Sequence, residues 1–279
     1  MCYNNSTTTH IELEIVMNKN IVLFDMDGTL TEPRKQFDSI LSSPLWDLSG
    51  MADIGVVTGS DMNYVKQQLG NLMSNHSVRY CLHILPCNGT KWYTPPQFAS
   101  HDHSEIHSVD MKREIGSDKY NKLIEILIRL QNEVCDFNIP LTGHFISPRG
   151  SMINWCPIGR NATEAQRKVF KKFDKNYKFR KQFFARLRSN LDENDLNNVS
   201  VKLGGDTSFD IYPDGWDKTY ALRHFDGKNV WFVGDRARGP RGNDYEIFKA
   251  CEPRSFHTTG PEETVEVIRN IIEKIKQGG

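Results

Sequence analysis

The chain of 279 residues lacks a net charge, because its 35 basic and 35 acidic side chains cancel. Without an overall field, nothing favours nucleic acid or an anionic membrane surface, and any charge that binds an anion must be concentrated locally. The chain also lacks an apolar run near the roughly 18 residues that cross a bilayer. We therefore expect small-molecule partners, with no nucleic acid and no membrane.

Cysteine is sparse as well. The six cysteines are scattered, with no C-x-x-C pair and none of the density of a disulfide scaffold. Residues 1–16 lack the basic and apolar regions of a secretory signal, and Met17 stands just before the first predicted strand. We expect a cytoplasmic protein whose residues 1–16 form a disordered extension.

Short apolar runs near both ends of the chain are typical of strands that are buried on both faces of a parallel sheet. Three such runs lie at residues 21–24, 54–57 and 230–233, and the second leads into a turn and a segment with helical spacing. A final helix is predicted from Pro261, with its apolar residues along one stripe. Both ends of the chain are therefore predicted to be α/β.

The middle of the chain has a different pattern. Helices are predicted from Ser117 and from Thr163, where Thr-Glu-Ala-Gln has the form of a capping box. Short alternating runs indicate antiparallel strands near residues 145–146, 152–155, 199–203 and 209–212. The histidine-rich stretch 101–107 has no partner motif for a metal site and is predicted to be a polar loop.

These patterns predict an α/β protein with an inserted domain. A parallel-sheet core is expected from residues 17–89 and 213–279. An α+β cap is expected from residues 90–212.

Acidic and hydroxyl side chains follow the three predicted core strands. Asp25 and Asp27 follow the first, Thr58 and Ser60 the second, and Asp235 the third. Ligands of an open parallel sheet bind beyond the carboxyl ends of its strands. Each cluster alone is ordinary, since a D-x-D-G run also forms turns. Their convergence is what predicts a site.

A calcium-binding loop is the first alternative for this D-x-D-G run. Such a loop needs glycine at its sixth position and glutamate at its twelfth, whereas this run has Gly28 fourth and Gln36 twelfth. It also follows a helix, and here an apolar strand precedes. The calcium interpretation therefore fails.

The run Asp-Met-Asp-Gly-Thr at residues 25–29 resembles the signature of the haloacid-dehalogenase (HAD) superfamily of phosphotransferases. The resemblance implies a HAD-like Rossmannoid core with an inserted cap. Further runs narrow it to the eukaryotic-type phosphomannomutase family. In chain order, the runs that resemble this family are DMDGTLTEPR (25–34), GVVTGSD (55–61), PIGR (157–160), SFD (208–210), PDGWDK (213–218) and GNDYEIF (242–248).

The resemblance implies a set of catalytic roles. Asp25 is expected to attack phosphorus and form an aspartyl-phosphate, and Asp27 to act as general acid and then base. Lys218 is expected to keep Asp25 ionised and to meet the transferring group. Mg²⁺ is expected on Asp25, the backbone carbonyl of Asp27 and Asp235, with Asp244 in a supporting or water-mediated role.

The resemblance also assigns substrate-binding positions. Arg149, Arg160 and Arg167 of the cap, with Arg34 of the core, match positions that bind substrate in this family. Arginine suits phosphate because its planar fork binds two oxygens at once.

Four further side chains are candidates for polar contacts in the site. Ser208 and Asp210 alternate along one strand face and are expected to meet sugar hydroxyls. Thr58 and Ser60 offer hydroxyl and N–H groups at a helix N-terminus, which is a ready anion site. Which of the two hydroxyls touches phosphate is open, and either Ser60 or Asp61 is a candidate N-cap of the following helix.

A hexose phosphate mutase must hold a second phosphate while its bisphosphate intermediate turns round, and the cap arginines supply charge for it. The resemblance implies interconversion of mannose 6-phosphate and mannose 1-phosphate, activated by a hexose 1,6-bisphosphate, for GDP-mannose supply. It also implies that the cap can form a homodimer. The alternative is a HAD-type sugar-phosphate phosphatase. A silent sugar-phosphate binding protein is disfavoured by the complete catalytic set, and mannose against glucose is left open.

Overall fold

The structure is a computed structural model that describes residues 19–75, 77–239 and 242–278. The expected extension at residues 1–16 lies outside these ranges. Within them, none of the helices combines the length and the apolar character that a membrane span needs.

Eleven strands form two sheets in the described residues. In chain order they are β1 (Asn20–Phe24), β2 (Asp53–Val57), β3 (Leu82–Leu85), β4 (Lys91–Thr94), β5 (Ser104–Ser108), β6 (Ile146–Pro148), β7 (Ile153–Trp155), β8 (Val199–Gly204), β9 (Ser208–Pro213), β10 (Asn229–Gly234) and β11 (Ser255–His257). The α-helices are α1 (Ser42–Ser49), α2 (Met62–Asn75), α3 (Met111–Ile115), α4 (Ser117–Val134), α5 (Glu164–Tyr177), α6 (Phe179–Asp192), α7 (Tyr245–Ala250) and α8 (Pro261–Lys276).

The larger sheet has the strand order β11-β10-β1-β2-β3-β4-β5, and its first five strands are parallel. The central strand β1 is buried on both faces. Val22 and Phe24 pack towards α1, α2 and α8, whereas Ile21 and Leu23 pack on the opposite face with Ile247 of α7. The predicted strands of this α/β core, and the predicted final helix, are confirmed.

The smaller sheet, β6-β7-β9-β8, is antiparallel and packs against the helices of the middle segment. Its apolar side chains form one cluster with α4, α5 and α6. The predicted capping box at Thr163 is present, because its hydroxyl accepts from the N–H of Gln166 and the Gln166 side chain accepts from the N–H of Thr163.

The core sheet extends further than the sequence predicted. β4 and β5 continue it, with β4 pairing antiparallel to β3 through Ile84 and Tyr93. Residues 91–108 were predicted to lie in the cap, and residues 101–107 to be a polar loop, but the latter overlap the edge strand β5. The edge strand is largely exposed, so no continuous apolar run marks it in the sequence. From here on, the cap means residues 109–213.

Cap stability is expected to depend on Phe183, which is fully buried and lies in an aromatic cluster with Phe179, Phe137 and Trp155. We predict that Phe183→Ala lowers the free energy of unfolding by about 3–5 kcal/mol, because it leaves a cavity. Denaturant titration measures this change. Val169→Ala, at a position with 57% exposure, is the control and should change it by less than about 0.5 kcal/mol. A loss below about 1 kcal/mol in Phe183→Ala would contradict the packing described.

Candidate active site

The carboxyl ends of β1, β2 and β10 meet at one edge of the core sheet, where a cleft of about 580 Å³ opens towards the cap. Most of the predicted site residues line this cleft. They are Asp25, Asp27, Arg34, Thr58, Ser60, Arg149, Arg160, Arg167, Ser208 and Asp210. The remaining two predicted site residues are Lys218 and Asp235. They lie against Asp25 at the base of the cleft.

Three carboxylates converge at the base of the cleft. One oxygen from each of Asp25, Asp235 and Asp244 lies within 4.8 Å of the others. Asp244 is fully buried, and Asp235 Oδ1 and Asn243 Oδ1 are buried with no hydrogen-bond partner among the described residues. A set of oxygen donors with spare acceptor capacity fits a hard divalent cation. The sequence placed Asp244 in a supporting role, but the structure brings its carboxylate into the cluster itself.

Two glycines allow this convergence. Gly28 has φ of 90°, and a Cβ there would stand 2.5 Å from Asp235 Oδ2. A Cβ at Gly234 would stand 2.6 Å from Asp244 Oδ2. Any larger residue at either position would push the carboxylates apart.

Lys218 balances part of this negative charge. Its ammonium is 1% exposed, donates to Asp25 Oδ1 and lies 2.6 Å from Asp244 Oδ1. Burial by itself lowers the pKa of Lys218, but the charges of Asp244 and Asp25 outweigh it and raise that pKa above its usual range. Lys218 is therefore a buried cation.

The surroundings of Asp25 act on its pKa in opposite directions. Burial contributes most to raising the pKa of Asp25, the charge of Asp244 raises it further, and the ammonium of Lys218 acts in the opposite direction. A divalent cation beside Asp25 would act in the same direction as Lys218 and favour the ionised carboxylate.

Asp27 is held by the core rather than by the carboxylate cluster. Its Oδ1 accepts from Gln68 Nε2 at 3.0 Å, from the backbone N–H of Arg34 at 3.2 Å and from the Tyr64 hydroxyl at 3.5 Å. The Gln68 amide is oriented by Thr31, whose hydroxyl donates to Gln68 Oε1 at 2.6 Å. These contacts fix the Asp27 carboxylate at the cleft wall, two residues from Asp25.

The turn after β2 presents its polar groups to the same cleft. The Thr58 hydroxyl accepts from the N–H of Ser60 at 3.1 Å. The N-cap contact of α2 comes from Asp61, whose Oδ1 accepts from the N–H of Tyr64 at 2.9 Å. Ser60 is therefore not the N-cap residue of α2. It lines the cleft instead.

Arg149 reaches from the cap to the core. Its Nη1 donates to the Gly59 carbonyl at 2.5 Å, and its Nε lies 3.9 Å from Asp61 Oδ2. Arg149 therefore already lies against the turn that presents Thr58 and Ser60.

Arg160 and Arg167 differ in how many hydrogen bonds their guanidinium groups donate within the cap. The three nitrogens of Arg167 donate to the carbonyls of Ala162 and Arg160 and to the Thr207 hydroxyl. Arg160 donates one bond, to Asn154 Oδ1 at 3.3 Å, and its guanidinium lies 5.8 Å from the centre of the Tyr64 ring. Arg160 is thus better placed than Arg167 to bind a ligand in the cleft.

The arginines repel one another. Burial is the largest cause that lowers the pKa of Arg160, and the charges of Arg149 and Arg34 lower it further. A phosphate dianion among these side chains would relieve both the repulsion and the cost of burial.

Sequence reasoning missed Asn154, which is buried at the cleft wall and links two predicted site residues. It donates to Asp210 Oδ1 at 2.7 Å and accepts from Arg160. Its position in the apolar run 152–155 gave no sign of this role, whereas its strand pairing with Asp210 does. Asp206 and Arg236, which also line the cleft, were missed as well.

The chain is similar to known proteins over most of its length. A family model for eukaryotic phosphomannomutases matches residues 41–274. The phosphomannomutase of Arabidopsis thaliana is 36% identical over 247 residues, which cover 88% of this chain and 93% of the relative. Phosphomannomutase 1 of Dictyostelium discoideum is 34% identical over 261 residues, covering 91% of this chain and 97% of the relative.

Solved structures with the HAD-like fold resemble the whole chain. An IMP-bound, N-terminally truncated IMP-nucleotidase of Plasmodium falciparum aligns with a TM-score of 0.65 and 15% identity, covering 91% of this chain and 68% of that one. A trehalose-6-phosphate phosphatase of Aspergillus fumigatus aligns with a TM-score of 0.50 and 15% identity, covering 92% and 93%. At such identities the likeness shows the fold alone. The family match and the curated relatives each span most of the sequence, and the chain therefore belongs to the eukaryotic phosphomannomutase family.

Proposed function

We propose that the chain is a phosphomannomutase. It interconverts mannose 6-phosphate and mannose 1-phosphate through an aspartyl-phosphate on Asp25 and a hexose bisphosphate intermediate, and so supplies GDP-mannose synthesis. The observation that carries this proposal is one cleft that holds two groups of side chains suited to phosphate. Asp25 lies at its base with Lys218, and Arg34, Arg149 and Arg160 line it as a cluster of positive charge.

The transfer begins when an Asp25 oxygen attacks the phosphorus of a bound hexose 1,6-bisphosphate. Lys218 offsets the charge that collects around the transferring group, and Asp27 gives a proton to the departing sugar oxygen. In the reverse direction, Asp27 takes the proton of the sugar hydroxyl as that hydroxyl attacks phosphorus. The contacts of Gln68 and Tyr64 keep Asp27 at the cleft wall throughout.

We propose Mg²⁺ as the cation for Asp25, Asp235 and Asp244, together with the backbone carbonyl of Asp27. Bound there, Mg²⁺ would neutralise negative charge and orient the phosphoryl group. The hexose bisphosphate acts as the activator, because the enzyme must carry phosphate on Asp25 before a hexose monophosphate can be converted.

The cap holds the phosphate that is not being transferred. Arg160 and Arg149 bind it from the cap, Arg34 approaches from the core, and Arg167 positions Arg160 by bonding its carbonyl. Ser208 and Asp210 meet the sugar hydroxyls. After the intermediate turns round, the two phosphates exchange places in the same cleft.

A sugar-phosphate phosphatase on the same machinery is the second candidate. A hydrolase needs one phosphate site, and the group of arginines in the cleft would then have no second phosphate to offset its charge. The choice between mannose and glucose, and the homodimer through the cap, stay predictions from sequence.

A coupled assay tests the mutase proposal. Purified protein is given mannose 1-phosphate and Mg²⁺, with and without glucose 1,6-bisphosphate, and mannose 6-phosphate and inorganic phosphate are followed together. We expect mannose 6-phosphate to form with the bisphosphate and little or none of it without, because the bisphosphate loads Asp25. Release of inorganic phosphate alone under both conditions would support the phosphatase instead.

The arginine group gives a second prediction. Arg160→Met should lower kcat/KM for mannose 1-phosphate roughly 10- to 100-fold, because it removes charged hydrogen bonds to phosphate. Steady-state kinetics at saturating bisphosphate measures the loss. The matched control is Arg186→Met, a cap arginine that pairs with Glu133 away from the cleft, and it should stay within twofold of the parent. Equal kcat/KM values for Arg160→Met and the parent would show that Arg160 does not bind the substrate phosphate.

A further inference from the structure

The turn between β8 and β9 contacts the core beside the carboxylate cluster. Asp206 lies at this turn, and its Oδ1 accepts from Arg236 Nη2 at 3.3 Å. Arg236 follows Asp235 directly, its backbone N–H donates to Asp244 Oδ2 at 3.0 Å, and its Nε lies 3.6 Å from Asp235 Oδ2. The cap is therefore bonded to the loop that carries two of the three clustered carboxylates.

The turn is anchored firmly within the cap. Lys171 of α5 lies 2.8 Å from Asp206 Oδ2, Arg180 of α6 donates to the Gly205 carbonyl at 3.0 Å, and Arg167 donates to the Thr207 hydroxyl at 2.7 Å. One carboxylate oxygen of Asp206 thus contacts Lys171 of the cap, and the other accepts from Arg236 of the core. If the cap moves away, Asp206 keeps Lys171 and loses only Arg236, so the contact to the core can break and form again at small cost.

The strength of this contact suits a reversible closure. The side chains of Asp206 and Arg236 are 46% and 32% exposed, and ion pairs this open to solvent contribute little to stability. Losing the pair is expected to reduce the ratio of closed to open states on the order of two- to fivefold, without loss of folding. Other contacts between cap and core include Arg149 with Gly59 and Lys202 with Glu246, but Lys202 and Glu246 do not line the cleft.

We propose that Asp206 and Arg236 form a latch that holds the cap closed over phosphorylated Asp25 and thereby sets how often water, rather than sugar, takes the phosphoryl group. In either outcome, the bond between phosphorus and the Asp25 oxygen breaks and the attacking oxygen forms a new bond to phosphorus. Its proton passes to Asp27. A sugar hydroxyl yields hexose bisphosphate, and water yields inorganic phosphate.

This inference rests on the proposed mutase function, and Asp206 acts in it as a positioning residue. A longer-lived closed state admits less water, so the sugar phosphate is the main acceptor. An open cap exposes the aspartyl-phosphate and favours hydrolysis. The latch therefore predicts a change in the ratio of two products rather than a uniform loss of rate.

The test measures that ratio in four proteins: the parent, Asp206→Asn, Arg236→Gln and the double variant. Each receives mannose 1-phosphate, glucose 1,6-bisphosphate and Mg²⁺, and inorganic phosphate is divided by mannose 6-phosphate formed. We expect Asp206→Asn to raise the ratio two- to fivefold, and to have no further effect in the Arg236→Gln background, because the partner is already lost. Glu133→Gln, which breaks an ion pair of similar exposure within the cap, should leave the ratio unchanged.

Three results would overturn the latch. They are an unchanged ratio in Asp206→Asn, an equal increase with and without Arg236, and an increase of the same size in Glu133→Gln. A parent protein that releases inorganic phosphate alone would instead refute the mutase function, so the two failures are distinguishable.

Discussion

The rest of the site depends on one buried ion group, the ammonium of Lys218 between the carboxylates of Asp25 and Asp244. Lys218 enters the core after the chain has passed through the whole cap, whereas Asp25 follows the first strand and Asp244 precedes α7. Removing one partner from a buried ion group costs several kcal/mol, so Lys218 couples these three segments energetically.

This group also explains the need for a further cation. Asp25, Asp235 and Asp244 bring three carboxylates to one place, where Lys218 supplies a buried positive charge and Arg236 a partly exposed one. Gly28 and Gly234 remove the side chains that would keep the carboxylates apart. A divalent cation held by Asp25, Asp235 and Asp244 would relieve the repulsion that this close packing creates.

The sequence predicted the parts of the molecule that are marked by local chemistry. Apolar runs identify β1, β2 and β10 because each of these strands has no polar residue after its first position. The carboxyl ends of those strands then locate Asp25, Thr58 and Asp235. Edge strands such as β5 have no such run, so the core sheet was predicted too small. Asn154 and Asp206 could not be found, because their roles arise from strand pairing and from contact between cap and core.

The most direct measurement is the position of phosphate on the enzyme. Protein is mixed with glucose 1,6-bisphosphate and Mg²⁺, quenched in acid, digested and examined by peptide mass spectrometry, with Asp25→Asn as control. Phosphate should be found on Asp25 in the parent and on no residue in Asp25→Asn, since Asp25 is the carboxylate among the described residues that both lines the cleft and pairs with Lys218. Phosphate on Asp27, or labelling that persists in Asp25→Asn, would contradict Asp25 as the nucleophile.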